Sequence, residues 1–554
     1  MIPHGAINAG IGINMLWSRA AVRGPLLSAA RTPQAAQEAL LLRILRENQN
    51  TRFGQEHSFS SIGSTTEYRN AVPIQTYATL EPYVLAQQEG EAALTARPPV
   101  YYARTSGTTG RHKDIPLTAR GVRQVKRAQK QLALSLWKDT GFFRGSVLGF
   151  ASPGEEGRLP SGLPYGATSG VTYSSLSKVV AKKFVIPYEA FSCRDAEAKY
   201  EVYALAALTR DDVTGVVAAN PSSLLKVCLL IERRGPEFVE ALADGKTVGL
   251  REETVGYLHM LRTKAQAGRF AILQQLFAEQ TTILPETVWP SLSAVATWTG
   301  GSCGVALDRL KEHLPSRARI VEYGYGASEF MGSANIDALQ NTCVPLLNDH
   351  VYEFVQKDAW EAGHGDFLGL HQIKEGSEYY IFVTTRSGLY RYDINDVIRV
   401  ESGVGSCPGL RFVRKGRGVT SITGEKLSED QIISAVSSVL ANRDLTAPNY
   451  LALADEERAR YVTYFELDCS SSLAWLADDL DRELRERNAE YDDKRASGRL
   501  LPLEVALLRP GAGERMKAAK LEAGVREAQY KPTILDYYRN WQDALSGLAA
   551  GIPA

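Results

Sequence analysis

A glycine- and hydroxyl-rich segment at residues 105–113, Thr-Ser-Gly-Thr-Thr-Gly-Arg-His-Lys, has the residue types needed to hold an anion. Its two glycines leave the backbone free to turn several N–H groups toward one point. Its hydroxyls and Lys113 add further donors. The segment lacks the G-x-x-x-x-G-K-[ST] spacing of a P-loop, so a different phosphate-binding loop and a polar hairpin turn are both open interpretations.

Two later segments add a ring, a hydroxyl and carboxylates. Residues 323–329 follow a predicted strand and contain Tyr325, Ser328 and Glu329. Tyr325 could stack on a purine, and Glu329 could hold Mg²⁺ beside phosphate oxygens, because Mg²⁺ prefers such oxygen ligands. Residues 388–396 end in Asp396 at a predicted strand start, where its carboxylate could accept hydrogen bonds from both ribose hydroxyls. Each segment alone is also consistent with an ordinary turn.

Residues 300–304, Gly-Gly-Ser-Cys-Gly, match the G-x-S-x-G pattern of a nucleophile elbow. A serine hydrolase would use Ser302 as its nucleophile, with His350, His364 or His371 as the base. The chain has no HGGG-like oxyanion segment, and a hydrolase would leave the other three segments without a role. We therefore keep the serine hydrolase as a distant alternative.

Length and composition indicate a globular protein of two or more domains, because 554 residues exceed a single ordinary core. Basic and acidic residues balance at 63 each, which favours neither nucleic acid nor an anionic membrane as a partner. The six cysteines are scattered without a C-x-x-C pair, which argues against a zinc site or a disulfide framework. No apolar run approaches the length of a membrane span, so we expect a reduced, cytoplasmic setting.

The middle of the chain alternates strand and helix, which predicts a parallel sheet whose ligands lie beyond the carboxyl ends of its strands. Asn220 and Pro221 are typical of a helix cap and a first helical residue. The predicted strands are residues 213–219, 292–298 and 319–323, and the predicted helices are residues 222–233 and 305–313.

After residue 353 the pattern changes to alternating β, which predicts an antiparallel sheet or barrel with strands at 379–385 and 397–400. Glycines cluster up to Gly418, and a small unit of two helices, two strands and a helical tail follows. We place a domain boundary there, between residues 1–416 and 417–554. The predicted fold class is α/β, with a large N-terminal domain of parallel sheets plus a β-barrel-like part, and a small α+β C-terminal domain.

Together these segments resemble the GH3 acyl acid–amido synthetases, a branch of the adenylate-forming, firefly luciferase-like enzymes. The likeness spans roughly residues 50–535. It is carried, in the family's order, by residues 105–116, 325–329, 388–396 and 424–429. Two positions depart from the family pattern: Thr105 stands where serine is usual, and Asn395 precedes Asp396 where glycine is usual.

The resemblance implies an ATP-dependent ligase that adenylates a carboxylic acid and transfers the acyl group to an amino acid, releasing AMP and pyrophosphate. It implies ATP and Mg²⁺ as cofactors, small-molecule acid and amino acid partners, and a mobile C-terminal domain. The implied ATP- and AMP-binding residues are Thr105, Ser106, Gly107, Thr108, Thr109, Gly110, Tyr325, Gly326, Ala327, Ser328, Asp396 and Arg417. The implied catalytic residues are Lys531, Lys426 and Glu329, with Glu329 as the metal ligand. The implied acyl-acid pocket comprises Thr168, Tyr173, Trp298 and Gly300.

The acceptor of the acyl group is less clearly marked in the sequence. A related enzyme could pass the acyl group to a thiol such as coenzyme A or to a hydroxyl, and a non-catalytic relative would only bind a nucleotide or a partner. The set of four motifs favours an amine.

Overall fold

The computed structural model describes residues 4–106, 112–174, 176, 178–279, 285–301, 303–416, 418–443, 445, 447–467, 474–522 and 532–550. The chain divides into two units. The first comprises Met1–Thr105 and Lys113–Arg414, and the second comprises Ser106–His112 and Lys415–Ala554. The helices found in the described residues are too short or too polar to cross a bilayer.

The helices described in the first unit are α1 (His4–Ser18), α2 (Gly24–Ala29), α3 (Pro33–Asn48), α4 (Arg52–Glu56), α5 (Thr65–Ala71), α6 (Tyr77–Gln88), α7 (Ala119–Asp139), α8 (Thr168–Ser174), α9 (Lys178–Ala181), α10 (Ala196–Leu208), α11 (Pro221–Asp244), α12 (Glu252–Lys264), α13 (Arg269–Glu279), α14 (Pro285–Val288), α15 (Cys303–Lys311) and α16 (Lys357–Glu361). The strands in the same part of the chain are β1 (Pro99–Ser106), β2 (His112–Thr118), β3 (Ser146–Gly149), β4 (Gly157–Arg158), β5 (Pro164–Gly166), β6 (Val213–Val217), β7 (Ala294–Thr297), β8 (Arg319–Glu322), β9 (Gly326–Ala327), β10 (Phe330–Met331), β11 (Ser333–Asp337), β12 (Thr342–Pro345), β13 (His350–Gln356), β14 (Glu378–Thr385), β15 (Tyr392–Val404) and β16 (Cys407–Lys415).

The predicted parallel sheet is confirmed, with strand order β3-β6-β7-β8 and every neighbouring pair parallel. Its central strands are apolar and buried on both faces, as expected for a sheet covered by helices on either side. The Asn220 side chain accepts a hydrogen bond from the Ser222 N–H, and Pro221 opens α11, as predicted. The sheet therefore directs the turns after β7 and β8 toward one edge.

Helix α11 continues beyond the predicted end at Arg233 to Asp244. The helix continues through Gly235 and Pro236, two residues that usually disfavour a helix interior. A Cβ at Gly235 would lie 2.1 Å from the ring of Phe277, so this glycine is required by close packing between helices. Burial of Phe238 and neighbouring apolar residues then outweighs the cost of a proline inside the helix.

The region predicted as an antiparallel sheet or barrel is a sheet of order β13-β14-β15-β16. Its register pairs Val351 with Thr384 and Tyr380 with Val397, and an irregularity follows Tyr380. One face packs on the largest core cluster of the unit, which also includes apolar residues of α3. This sheet carries the strand on which Asp396 lies.

The elements described in the second unit are β17 (Val419–Thr420), β18 (Leu427–Ser428), α17 (Glu429–Ala441), β19 (Asn449–Asp455), β20 (Arg460–Glu466), α18 (Ala474–Arg487), α19 (Ala489–Ala496), β21 (Glu504–Leu507), α20 (Ala512–Glu522), β22 (Leu535–Tyr537) and α21 (Gln542–Leu548). They form a small α+β fold around a sheet of order β21-β20-β19-β22. Helices α17 and α18 cover one face of this sheet, and α21 covers the other. This arrangement confirms the predicted fold class.

A buried ion pair ties the antiparallel sheet to the N-terminal segment. Arg391, 4 % exposed, donates from Nε to Glu353 on β13 at 3.0 Å, and from Nη1 to the carbonyls of Arg69 and Val72 at 2.9 and 2.8 Å. Arg69 donates to the other oxygen of Glu353 at 2.8 Å. A buried charge is tolerated only when it is paired and hydrogen-bonded in this way.

Replacing Glu353 with Gln should destabilise the first unit by about 3 kcal/mol, because Arg391 keeps its charge and loses its counter-ion in a buried site. The matched control is Glu401→Gln, since Glu401 pairs with Arg411 at 3.3 Å on the surface. That variant should cost about 0–1 kcal/mol. Urea denaturation of both variants measures the difference. Equal shifts in the two variants would contradict the role given to the buried pair.

Candidate active site

An ion pair holds together the two strands that flank the predicted phosphate loop. Arg104 on β1 donates two hydrogen bonds to Asp114 on β2, at 2.8 and 2.9 Å. The guanidinium also lies over the ring of Tyr165, 3.4 Å from its centroid. A bidentate pair fixes orientation as well as distance, so the two ends of the loop are held at a defined spacing.

Most of the loop lies outside the described residues. The structure gives the backbone of Thr105 and Ser106 as the end of β1. The predicted site residues outside the described part of the chain are Gly107, Thr108, Thr109, Gly110, Arg417 and Lys531, and Ser302 also lies there. Their roles stay predictions.

The backbone around Asn395 explains one departure from the family pattern. Asn395 has a φ of 52°, in the left-handed region, and its N–H donates to the Asp393 carboxylate at 2.7 Å. Glycine adopts this conformation freely, and asparagine does so more readily than most residues. Asparagine therefore preserves the left-handed backbone conformation within β15 that precedes Asp396, which is 2 % exposed.

Tyr325 is a fixed hydrogen-bond donor to Asp396. Its hydroxyl donates to Asp396 Oδ2 at 2.8 Å, and its N–H donates to Ser333 Oγ at 2.9 Å. Burial, followed by the charge of Asp396, raises the pKa of Tyr325 well above its usual value, so the phenol stays protonated. The ring is 5 % exposed, packs edge-on against Phe330 and lies parallel to Phe412 with centroids 6.0 Å apart.

The predicted phosphate and metal contacts lie in a tight hairpin. Ala327 pairs with Phe330 between β9 and β10, which leaves Ser328 and Glu329 as the two turn residues, both half-buried. The charge of Glu329 contributes, after burial, to the raised pKa of Tyr392, and it adds to the raised pKa of Tyr325. Asp396 acts on both of these tyrosines as well. Phe330, the residue after Glu329, packs with its ring centroid 5.5 Å from that of Tyr325, whose hydroxyl donates to Asp396 at 2.8 Å. Glu329 and Asp396 therefore lie in the same part of the first unit.

The turns after β7 and β8 are joined by Glu322, the last residue of β8. Its carboxylate accepts hydrogen bonds from the Thr299 N–H at 2.8 Å, from the Thr299 hydroxyl, and from the Gly324 N–H at 2.9 Å. The Trp298 indole N–H donates to the Gly324 carbonyl at 3.0 Å. These bonds bring Trp298, a predicted acyl-acid residue, next to the segment that begins with Tyr325.

Gly300 lies directly against β16. A Cβ at Gly300 would lie 2.4 Å from the carbonyl oxygen of Phe412, so only glycine fits this approach. Phe412 thereby contacts both the turn after β7 and the ring of Tyr325. The carboxyl edge of the parallel sheet and the antiparallel sheet meet at this residue.

The remaining acyl-acid residues lie on α8. Thr168 is its first residue, and the Tyr173 hydroxyl donates to the Ile186 carbonyl at 2.7 Å. The Tyr173 ring packs among three aromatic side chains, which are Phe184, Tyr188 and Phe191. Their joint contribution to a pocket with Trp298 and Gly300 stays a prediction.

In the second unit, a buried carboxylate shapes the loop that carries Lys426. Glu425 is fully buried and accepts hydrogen bonds from the N–H groups of Ile422 and Thr423, at 2.6 and 2.8 Å, and from the Tyr461 hydroxyl at 2.8 Å. The Lys426 carbonyl accepts from Asn488 at 2.8 Å. The Lys426 ammonium lies 3.6 Å from Glu490 and its side chain is 24 % exposed.

Of the predicted nucleotide residues, the structure brings together Tyr325, Glu329 and Asp396. Sequence reasoning missed Glu322 and Phe412, which lie next to the Tyr325 segment. In the second unit it missed the role of Glu425 in shaping the loop of Lys426. The signal available for Glu322 was a carboxylate at a strand end, two residues before a glycine. No comparable local signal marks Phe412, because its contacts are with residues far away in the sequence.

Three models of one family match most of the chain in order. They are the GH3 family N-terminal domain at residues 24–318, the central domain at 343–415 and the C-terminal domain at 430–536. The chain therefore belongs to the GH3 family. Residues 319–342 and 416–429 fall between the matched ranges, so the assignments of Tyr325, Glu329 and Lys426 depend on their local structure and motifs.

Named relatives align along nearly the whole chain. Indole-3-acetic acid-amido synthetase GH3.15 of Arabidopsis thaliana is 25 % identical over 533 residues, covering 89 % of each chain. Jasmonoyl–L-amino acid synthetase JAR4 of Nicotiana attenuata is 22 % identical over 534 residues, covering 89 % of this chain and 90 % of its own. The 4-substituted benzoates-glutamate ligase GH3.12 of Arabidopsis thaliana is 24 % identical over 538 residues, covering 90 % of this chain and 92 % of its own.

Solved structures share the fold. The GH3.15 acyl acid amido synthetase matches with a TM-score of 0.63 at 23 % identity, covering 96 % of this chain and 98 % of that one. The same enzyme in complex with 2,4-DB matches with a TM-score of 0.64 at 22 % identity, covering 97 % and 98 % of the two chains.

Replacing Tyr325 with Phe should cost about 1.5–3 kcal/mol of stability, because a buried carboxylate loses a hydrogen-bond donor. The matched control is Tyr323→Phe, since the Tyr323 hydroxyl accepts a hydrogen bond from the neutral Gln129 amide at 3.1 Å. That change should cost about 0.5–1.5 kcal/mol. Chemical denaturation compares the two variants. Indistinguishable midpoints would contradict the charge-assisted bond to Asp396.

Proposed function

We propose that this chain is an ATP-dependent acyl acid–amido synthetase, which adenylates a carboxylic acid and transfers the acyl group to an amino acid. Membership of the GH3 family supports this activity, as do relatives named as ligases of an acid and an amino acid. The observation that carries the proposal is the shared locality of Tyr325, Glu329 and Asp396, whose donor set suits a nucleotide.

Asp396 would hold the ribose hydroxyls of ATP, with the Tyr325 hydroxyl fixing the carboxylate. A charged acceptor held by a buried donor is pre-organised, so binding costs little rearrangement. Adenine stacking on Tyr325 is part of the proposal. Because Phe412 lies parallel to this ring at 6.0 Å, a purine cannot enter between the two rings unless Phe412 moves.

The phosphate end would be held by residues 105–110, Ser328 and Glu329. A single half-buried carboxylate in a hairpin turn fits Mg²⁺, which takes its remaining ligands from phosphates and water. Within the described residues no cluster of three or more His, Cys, Asp or Glu side chains could hold a metal by itself. When bound, Mg²⁺ supplies positive charge that offsets the charge developing on phosphate oxygens.

The reaction has two steps. A carboxylate oxygen attacks the α-phosphorus, forming the acyl–AMP bond as the bond to pyrophosphate breaks. The amine nitrogen then attacks the acyl carbonyl, loses a proton, and AMP leaves. Lys426 and Lys531 are our proposed cations for stabilising the phosphate oxygens, and Arg417 is proposed to face the nucleotide.

The acyl acid is proposed to bind near Thr168, Tyr173, Trp298 and Gly300. Aromatic rings around Tyr173 and the indole of Trp298 suit an aryl, indolyl or other apolar acid. The Tyr173 hydroxyl already donates to the Ile186 carbonyl, so Tyr173 would contribute its ring rather than a new donor.

We further propose that residues 417–554 form a domain that moves between the two steps, with residues 1–416 binding ATP and the acid. The division into two units after Arg414 supports this, as does Gly418 with a φ of 72°, a conformation suited to glycine. A closing domain would keep acyl-AMP from water.

A reducing, cytoplasmic setting is also proposed, supported by cysteines that are free thiols in the described residues.

Transfer to coenzyme A or to a hydroxyl is the second candidate for the acceptor.

The hydrolase alternative gains little support. His350 is buried and its pKa is lowered to about 3, first by burial and then by the charges of Arg127 and Arg386. His364 and His371 are exposed, and Ser302 lies outside the described residues.

The activity test is acid-dependent exchange of labelled pyrophosphate into ATP, screened over aryl, indolyl and fatty acids. We expect at least one acid to support exchange, and an amino acid then to drive AMP release. If AMP release requires coenzyme A and does not respond to amines, the proposed acceptor is wrong and the acceptor is a thiol. If the enzyme cleaves esters without ATP and Ser302→Ala abolishes this cleavage, the protein is a serine hydrolase.

Replacing Asp396 with Asn should raise the KM for ATP about 10- to 100-fold, the loss expected for a hydrogen bond to a charged group. The acid KM should change little, because the ribose is distant from the acyl group. The control is Asp358→Asn, which removes a carboxylate that is 76 % exposed on α16. An unchanged ATP KM in a folded Asp396→Asn enzyme would remove Asp396 from the nucleotide site.

Lys531→Ala and Glu329→Ala should each lower the rate of pyrophosphate exchange by about 100-fold or more, the usual loss when one stabilising charge is removed from a transition state. Single-turnover formation of acyl-AMP, at saturating ATP, separates this effect from weaker binding. If both variants form acyl-AMP at the rate of the unaltered enzyme, the assignment of the site is wrong.

A further inference from the structure

A cleft in the first unit lies between α2, α3 and α7 and has a volume of about 830 Å³. Its walls also include Leu346, Asn348 and Asp349, from the turn before β13, and Arg386, from the turn after β14. We call it the basic cleft. None of the residues that line it belongs to the candidate active site described above.

The basic cleft concentrates positive charge in a chain whose total charge is zero. Seven arginines and lysines line it against one carboxylate, Asp349. Five of them lie on α7: Arg120, Arg123, Lys126, Arg127 and Lys130. Positions 120, 123, 127 and 130 follow helical spacing, so these like charges share one face and repel each other.

The existing counter-ions do not balance this array. Asp349 forms an ion pair with Arg127. Glu47 accepts from Arg120 at 2.7 Å and lies 3.7 Å from Arg386. Lys130 lies over the ring of Trp17 at 5.2 Å, a contact that supplies no charge.

Arg386 is the buried member of the set. Its side chain is 8 % exposed, and its Nε makes no hydrogen bond to any described residue. Burial lowers its pKa to about 10; Glu47 opposes this effect, and Arg120, Arg43 and Arg127 add to it. A guanidinium held away from water with an unused donor costs free energy unless an anion completes its hydrogen bonds.

Among the described residues, Glu47 is the one carboxylate that raises the pKa of Arg386. His350 is buried beside it, and its Nδ1 also makes no hydrogen bond within the described chain. Burial and the charges of Arg127 and Arg386 lower the pKa of His350 to about 3, so this ring is neutral near pH 7. The buried end of the cleft thus combines unused polar atoms with net positive charge.

We propose that the basic cleft binds a small anion that carries several phosphate groups. Guanidinium groups match phosphate oxygens through paired N–H donors. The cations come from α3, α7 and the turn after β14, and they surround a concave space. Such a space suits a compact ligand with charge on several sides, and its volume lies in the range of small-molecule sites. A membrane or a nucleic acid duplex would need a flatter and more extended charged surface than this cleft offers.

The test is isothermal titration of the full-length chain with tripolyphosphate and, separately, with inositol hexakisphosphate. We expect one saturable site per chain, whose affinity falls steeply between about 50 and 200 mM salt, as for other contacts with several phosphates. The double variant Arg123→Gln/Lys126→Gln should bind at least about 10-fold more weakly, because it loses two charged contacts. Arg123 is exposed and Lys126 is half-buried, so the fold should survive, and an unchanged Tm checks this.

The matched control is Arg233→Gln/Lys264→Gln, which removes two exposed helical cations outside the cleft and should bind as the unaltered chain does. Lys531→Ala removes a cation that we propose for the phosphate oxygens of ATP, so this variant should keep full affinity for the two anions if they bind outside the nucleotide site. Three results would overturn the proposal: no saturable binding at low salt, equal affinity in the cleft variant, or loss of binding in Lys531→Ala. Binding confined to duplex RNA or to vesicles of anionic lipid would overturn it as well.

Discussion

The buried pair of Glu353 and Arg391 is the interaction on which the geometry of the candidate site depends. Arg391 has a φ of 42°, in the left-handed region, and its guanidinium reaches the carbonyls of the N-terminal segment. This contact fixes where the chain enters β15. Asp396 lies five positions further along, so the position of its carboxylate depends on an ion pair outside the candidate site.

Asp396 itself shows how this fold keeps a charge available inside the protein. The Tyr325 hydroxyl donates to it at 2.8 Å, and burial keeps that hydroxyl protonated. Glu322 orders the neighbouring turns through three hydrogen bonds of its own. The candidate site therefore contains two carboxylates with different tasks: Asp396 is proposed to bind the ligand, and Glu322 holds the backbone.

Much of this could be read from the sequence. Alternating strands and helices predicted the parallel sheet, and Asn220 with Pro221 marked the start of α11. The motifs predict Tyr325, Glu329 and Asp396 as site residues, and the structure places these three near one another. Periodicity and capping are local properties, and for that reason a single sequence reveals them.

What the sequence could not reveal depends on contacts between distant residues. The sequence predicts an end of α11 that is too early. Gly235 does not end the helix; it leaves room for the ring of Phe277, which packs against it. Phe412 meets both Gly300 and Tyr325, yet nothing near it in the chain marks that role. Asn395 stands where the family usually has glycine, and its left-handed backbone conformation, with a φ of 52°, explains why asparagine is accepted there.

The loop that carries Lys426 has one more consequence. Glu425 ties this loop into the interior of the second unit through backbone N–H groups and the Tyr461 hydroxyl. These bonds hold the backbone next to Lys426 in place within the second unit. In the proposed mechanism, Lys426 would therefore change its distance from the nucleotide by movement of the unit rather than by rearrangement of its own loop.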